Sequence, residues 1–170
     1  PQGLSITADG AWLYVAGTNT DLVYKLSTAT LDQATSIPVG DFPVVTGWAP
    51  DGTLWVSNNG DGVDDTVSVI DPASDTVVDT IAVAPYPRGM AFSPSGHAWV
   101  ASQTTGGGVV KIDAETRDVV GAITTDSEVI DVAVNPVSGV VYATDSDKDS
   151  ISVIGIEVDR LAGVDRFDTA

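Results

Sequence analysis

Four tandem copies of a unit about 42 residues long, each made of short apolar runs separated by turn residues, predict an all-β chain of repeated four-stranded sheets. The repeat can be read directly: TVSVIDPASDTVVDTI, from Thr66 to Ile81, returns as GVVKIDAETRDVVGAI, from Gly108 to Ile123, and more faintly from Ser150 to Asp165. Ile70, Ile112 and Ile154 fall 42 residues apart. Within each copy the apolar period is two over four to eight residues, and no window sustains a helical period.

The elements follow in order. The first copy (1–42) turns at Asp9-Gly10 into the strand Leu13–Gly17. The second (43–86) turns at Asp51-Gly52 into Leu54–Asn58 and is longer by two residues in its Asn59–Asp65 loop. The third (87–128) shows the unit most clearly, with strands expected at Gly89–Ser93, Ala98–Ser102, Gly108–Asp113 and Val119–Thr124. The fourth (129–170) turns at Ser138-Gly139 into Val140–Thr144. It departs from the pattern: Val129 replaces the heading proline, Gly155 stands where Asp71 and Asp113 do, and Asp165 where Ile81 and Ile123 do.

A lone meander of this size buries its faces poorly, so the copies must pack against one another. The first strands point to how. Large residues at Leu4/Ile6, Thr46/Trp48, Met90/Phe92 and Val132/Val134 flank a small one at Ser5, Gly47, Ala91 and Ala133. Wedge-shaped sheets that crowd toward an axis need a small residue where neighbours come close. Period and column together predict a β-propeller of four four-stranded antiparallel blades, part of a larger ring. Missing blades, or a second copy of the chain, are expected to complete that ring. Pro1 at the start, in place of Met, reads as a piece of something longer.

Composition narrows the function. With 24 acidic and 7 basic residues the net charge is −17, spread over the copies as −3, −7, −2 and −5. Scattered cations cannot displace counterions from phosphates, so nucleic acid is excluded, and the same deficit argues against an anionic membrane surface. No apolar run reaches the roughly 20 residues of a membrane span. The absence of cysteine removes thiolate metal sites and cysteine nucleophiles, and the single His97 cannot build a histidine-rich centre.

The motifs Tyr14-Val-Ala-Gly17, Trp55-Val-Ser-Asn58, Trp99-Val-Ala-Ser102 and Tyr142-Ala-Thr144 each follow a Gly-containing turn and precede a stretch like Thr66-Val-Ser-Val-Ile-Asp71. Together they resemble the YVTN-type β-propeller repeat over nearly the whole chain. That resemblance implies a ring of about six to eight blades in a secreted, periplasmic or cell-surface protein. It says little of function, because the repeat residues are structural.

Propeller ligands sit at the channel mouth, formed by the connections between copies and by the loops after the second strand of each copy. At that mouth Phe42 and Tyr86 occupy equivalent positions, and with Arg88 and Glu128 they are candidates for stacking a ring or gripping an anion. Two acidic loops offer hard oxygen ligands for calcium: Asn58, Asp61 and Asp64 in the second copy, and Asp145, Asp147 and Asp149 in the fourth. Neither is followed by the bidentate glutamate of a calcium loop, since the twelfth position from Asp145 is Ile156. No cofactor other than calcium is suggested. His97 lies at a turn opposite the mouth, so no catalytic residue is singled out. The expected function is a non-catalytic interaction or scaffold module presenting its mouth to a protein, glycan or small ligand. The alternative is a propeller enzyme or enzyme subunit of the lactonase, lyase or quinoprotein-associated kind.

Overall fold

Alternation places every second side chain on one face of a strand, and glycine-bearing turns reverse the chain, so antiparallel meanders follow from the pattern. The computed structural model describes the backbone of every residue except 61, 64, 158, 159, 169 and 170, and side chains as far as Gly155. Every regular element among the described residues is a strand.

The first sheet holds β1 (Leu4–Ile6), β2 (Trp12–Gly17), β3 (Leu22–Ser27) and β4 (Gln33–Pro38). The second holds β5 (Pro43–Trp48), β6 (Leu54–Asn58), β7 (Thr66–Asp71) and β8 (Thr76–Ala82). In the third are β9 (Pro87–Phe92), β10 (His97–Ser102), β11 (Gly108–Asp113) and β12 (Val119–Thr124). The fourth holds β13 (Val129–Val134), β14 (Val141–Asp145), β15 (Ser150–Glu157) and β16 (Arg160–Asp168). Each is a simple meander in chain order, the blade architecture of a β-propeller.

Turn chemistry fixes the hairpins. The turn between first and second strand carries a glycine at positive φ in every sheet: Gly10, Gly52, Gly96 and Gly139. Side-chain oxygens brace the turns. Asp9 accepts from Ala11 N at 3.0 Å, Asp51 from Thr53 N at 2.9 Å, and Asn135 from Val137 N at 2.9 Å and Ser138 N at 3.0 Å. Between third and fourth strands Asp71 accepts from Ala73 N, and Asp113 from Glu115 N and Thr116 N, each at 2.9 Å.

The chain divides into two compact units, Pro1–Val83 and Ala84–Ala170. In the first unit, Tyr14, Val23 and Ile37 of the first sheet pack on Leu54, Val56 and Ile70 of the second. Tyr14 meets Trp48 edge to face, with centroids 5.5 Å apart. Lys25 lies over the Trp12 ring at 4.9 Å and bonds the Asp75 carboxylate at 2.8 and 3.0 Å. In the second unit, Trp99, Ala101 and Val109 of the third sheet pack on Val129, Val132, Val141, Ala143 and Ile154 of the fourth.

Two expectations need correction. A close approach between neighbouring innermost strands also falls at Gly3 and Gly89, two positions before the expected column. A Cβ on Gly3 would stand 2.7 Å from Val44 O, and one on Gly89 2.6 Å from Asp131 Cα. Of the expected column, Ser5 Oγ meets Thr46 Oγ1 at 2.8 Å and Ala91 packs on the third and fourth sheets' core, whereas Ala133 is exposed. In the fourth sheet, register pairs Ile151 with Phe167, as Val67 pairs with Ile81 and Val109 with Ile123. Phe167, and not Asp165, therefore holds the position of Ile81 and Ile123. Gly155 replaces the turn-initiating aspartate, so β15 runs on to Glu157 and the hairpin is two residues longer.

Candidate functional site

One backbone hydrogen bond recurs at the mouth end of the sheets. The first loop residue after the second strand donates to the carbonyl just before the innermost strand: Asn59 N to Phe42 O, Gln103 N to Tyr86 O and Ser146 N to Glu128 O, each at 2.9 Å. Phe42, Tyr86 and Glu128 thus occupy equivalent places, all half-buried. Phe42 and Tyr86 adopt left-handed backbone conformations, with φ of 53° and 54°. A bulky residue there is strained, and it persists because the surroundings hold it on both sides. For Phe42 these are Asn59 on its carbonyl and the Asp21 carboxylate on its N–H at 3.1 Å. In the third connection the left-handed residue is instead Asp126. Arg88 is half-buried and donates from Nε to Gln103 Oε1 at 2.5 Å.

Behind the mouth lies a polar slot that sequence reasoning missed. The last residue of each second strand is Gly17, Asn58, Ser102 or Asp145, and all four are buried. Asn58 Nδ2 donates to Thr66 Oγ1 at 3.0 Å and Ser68 Oγ at 2.9 Å, and Ser68 Oγ in turn accepts from Gly40 N at 3.3 Å. Asp145 accepts from Ser127 Oγ at 2.5 Å, Ser150 Oγ at 3.2 Å and Ser152 Oγ at 2.7 Å. Ser102 Oγ donates to Pro85 O at 2.6 Å. Each side chain ties its strand to the third strand or to the connection between sheets. The signal was present in Thr66-x-Ser68 and Ser150-x-Ser152, where hydroxyls take alternate strand positions that could have been apolar.

The two sets of calcium candidates are described to different extents. Asp61 and Asp64 lie outside the described residues. Asp145 is enclosed by its serines, Asp147 Oδ1 accepts from Glu128 N at 3.0 Å, and Asp149 holds a left-handed turn position. No group of three His, Cys, Asp or Glu converges on a metal-sized site among the described residues. Asn58 Oδ1 is different: it is buried and accepts no hydrogen bond. His97 Nδ1 is 3.1 Å from Ser95 Oγ within its own turn, and burial, then the Lys111 charge, holds the imidazole below its ordinary range.

A cavity of about 140 Å³ opens at the same end of the third sheet. Ala84, Pro85, Gly107, Val109, Ala122 and Ile123 are among its apolar walls, with Ser102 at its edge. None of Phe42, Tyr86, Arg88 and Glu128 lines it, although Gln103, the partner of Arg88, follows Ser102. No helix among the described residues is long and apolar enough to cross a membrane.

No family model and no curated protein matches this chain. Solved structures do. Over 99% of its length the chain superposes on hydrazine synthase of Kuenenia stuttgartiensis with a TM-score of 0.83 at 23% identity, covering 49% of that chain. A catalytically inactive virginiamycin B lyase from Staphylococcus aureus, solved with quinupristin, gives 0.80 at 11% identity, with 99% of this chain on 55% of that one. U3-55K gives 0.81 at 13% identity, with 98% on 51%. The chain spans about half the length of each. At these identities the likeness concerns fold, and with four antiparallel four-stranded sheets and no helix described, the chain has the β-propeller fold.

Proposed function

We propose that the chain is a non-catalytic interaction module of a YVTN-type propeller from a secreted, periplasmic or cell-surface protein, and that it offers its mouth to a protein partner. One observation carries this reading: in each unit, polar groups at the mouth end are engaged in hydrogen bonds that hold the protein's own loops and strands. Asp21 braces Phe42, Asp147 braces Glu128, Ser102 holds Pro85 and Asp145 is enclosed by hydroxyls. General acid–base or nucleophilic chemistry needs convergent groups within reach of one reacting atom, and this arrangement spends them on scaffolding. Within the second unit, half-buried Tyr86 and the small apolar cavity of the third sheet lie at this end. That cavity suits an aliphatic or proline side chain, and the Arg88 guanidinium beyond its Gln103 bond suits a carbonyl or carboxylate of the same partner. The net charge of −17 favours a basic partner through faster encounter.

The test is an NMR titration with short peptides carrying Leu or Pro flanked by lysines, beside a panel of oligosaccharides and lactones. Saturable shifts at Gly106–Gly108 with the peptides, weakened at least about tenfold by Arg88→Ala, support the reading. Lactone hydrolysis lost in Glu128→Gln or Asp147→Asn overturns it in favour of an enzyme. Calcium is a separable part of the proposal. The unpartnered Asn58 Oδ1 favours it at the 58–65 loop, and an unchanged melting midpoint with calcium or with a chelator removes it.

A further inference from the structure

The corner of the third sheet that holds the cavity departs from the other three sheets in three ways, and all three favour one kind of contact. Ser102, Gly108 and Thr124 lie opposite one another across β10, β11 and β12, and Val110 lies opposite Ala122, so the five share one face of the sheet and line the cavity there. At the register position of Gly108 the other copies carry Leu22, Thr66 and Ser150. The third copy alone lacks a side chain there, and a Cβ on Gly108 would collide with Ile123 O. The next row, Val110 with Ala122, is wholly apolar, where the others pair Tyr24 with Ser36, Ser68 with Thr80 and Ser152 with Arg166.

The third departure is at the edge. β12 is the outermost strand of its sheet, paired with β11 alone, and its sequence VVGAIT holds neither charge nor proline. The other outer strands are blunted: β4 ends on Pro38, β8 carries Asp79, and β16 carries Arg160, Asp165, Arg166 and Asp168. Charge and proline are what keep an open strand from pairing with another chain. Val119 is 47% exposed and Val120 51%. Thr125 N donates to Gly107 O at 3.1 Å just past the ladder, and amides alternate in direction along a strand, so the N–H groups of Thr124 and Ala122 point away from β11. Further blades of a ring pack on sheet faces and leave this outer edge open.

We propose that an extended segment of a protein partner adds to β12 as a fifth strand of the third sheet and sets one aliphatic side chain in the cavity. The inference rests on the protein-binding function proposed above and names how that partner is held. A residue placed opposite Ala122 or Thr124 projects on the cavity's face. The cavity's volume of about 140 Å³ is close to the roughly 150 Å³ that admits a benzene ring, so leucine or isoleucine fits. Charge selects the flanks of the segment. Asp113, Glu115 and Asp118 precede β12 and Asp126 and Glu128 follow it, against one cation in that stretch, Arg117. The segment is therefore apolar at alternate positions and basic at both ends. Main-chain bonds to the edge supply affinity, and the cavity selects the side chain.

The probe is the peptide Lys-Lys-Val-Thr-Leu-Thr-Val-Lys-Lys, titrated into the 170-residue chain while amide hydrogen exchange is followed by NMR. At saturation the amides of Ala122 and Thr124 are expected to exchange at least about tenfold more slowly. Two N-methylated forms of the peptide, blocked at odd or at even positions, separate main-chain pairing from side-chain docking. A strand shows only alternate N–H groups to its neighbour, so one form is expected to bind at least about tenfold more weakly than the other. Shifts at Gly106–Gly108 without slowed exchange at Ala122 and Thr124 overturn strand addition and leave the proposed protein-binding function standing, whereas no shift anywhere overturns both. Equal binding by the two methylated forms, or by a peptide with glutamate in place of lysine, also overturns the proposal. So does slow exchange at Ala122 and Thr124 in the chain alone that deepens with its concentration, which assigns the edge to a second copy.

Discussion

The two units, Pro1–Val83 and Ala84–Ala170, solve the same packing problem with different side chains. In each, a glycine of the first innermost strand lets the second come close: Gly3 against Val44, Gly89 against Asp131. In each, a lysine covers the large aromatic, Lys25 at 5.5 Å from Tyr14 and Lys111 at 5.6 Å from Trp99. They diverge in what surrounds that aromatic. Tyr14 meets the Trp48 ring, whereas Trp99 belongs to a cluster of valine, alanine and isoleucine. They diverge most at the polar slot, Gly17 and Asn58 in one unit, Ser102 and Asp145 in the other. The backbone tolerates no variation where strands touch. The slot tolerates any side chain whose volume and hydrogen bonds balance.

The sharpest break of that comparison is at the aromatic position. Trp99→Ala removes a fully buried indole from the second unit's core and is expected to cost about 3–5 kcal/mol. Tyr142→Ala, at the equivalent place but 40% exposed, is expected to cost under about 1 kcal/mol. Urea denaturation of both variants checks the contrast, and equal losses show that Tyr142 is packed as closely as Trp99.

The slot gives the next largest effect. Asp145→Ala leaves the Ser127, Ser150 and Ser152 hydroxyls without their shared acceptor, and the expected loss is about 2–3 kcal/mol. Asp145→Asn keeps one acceptor oxygen, and the hydroxyls can turn to accept from its amide, so about half of that loss is expected. Chemical denaturation separates the two. Identical losses mean that the carboxylate serves by its charge, and that its resemblance to the Asn58 slot is one of position alone.

This contrast also explains what was legible in the sequence. Alternation with period two fixes which face a residue takes, and the 42-residue spacing fixes the number of sheets, so the meanders and the buried Tyr14, Trp55 and Trp99 could be read directly. Phe42 and Tyr86 were legible as equivalents because each precedes the proline heading a strand. The close approach at Gly3 and Gly89 was not, because it depends on how near the neighbouring sheet comes, a property of three dimensions. The role of Asp145 was hidden for a related reason. In one dimension Asp145, Asp147 and Asp149 form a run of oxygen ligands, while in the fold Asp145 turns inward to serines before and after it and Asp147 reaches back to Glu128. Phe167 replaced Asp165 because a hairpin extended past Gly155 shifts register, and no local residue preference signals that.

The smallest expected effect distinguishes turns closed by a carboxylate from the one closed by an amide. Hydrogen bonds lower the carboxyl pKa of three turn aspartates: from the Thr7 hydroxyl, then Ala11 N, for Asp9; from Ala73 N, then the Ser74 hydroxyl, for Asp71; and from Thr116 N, then Glu115 N, for Asp113. A carboxyl depressed in the folded state contributes stability that is present above its unfolded pKa of about 3.9 and disappears as pH falls through the folded value. The urea midpoint should therefore decline between about pH 5 and pH 2.5, with a shallower slope in Asp71→Asn and again in Asp113→Asn. Asn135 braces the first hairpin of the fourth sheet with a neutral amide, so Asn135→Asp should steepen the slope by adding a titrating brace. A wild-type midpoint that stays flat across this window would mean that the turns are closed by backbone geometry alone, and that these carboxylates contribute nothing that protonation can remove.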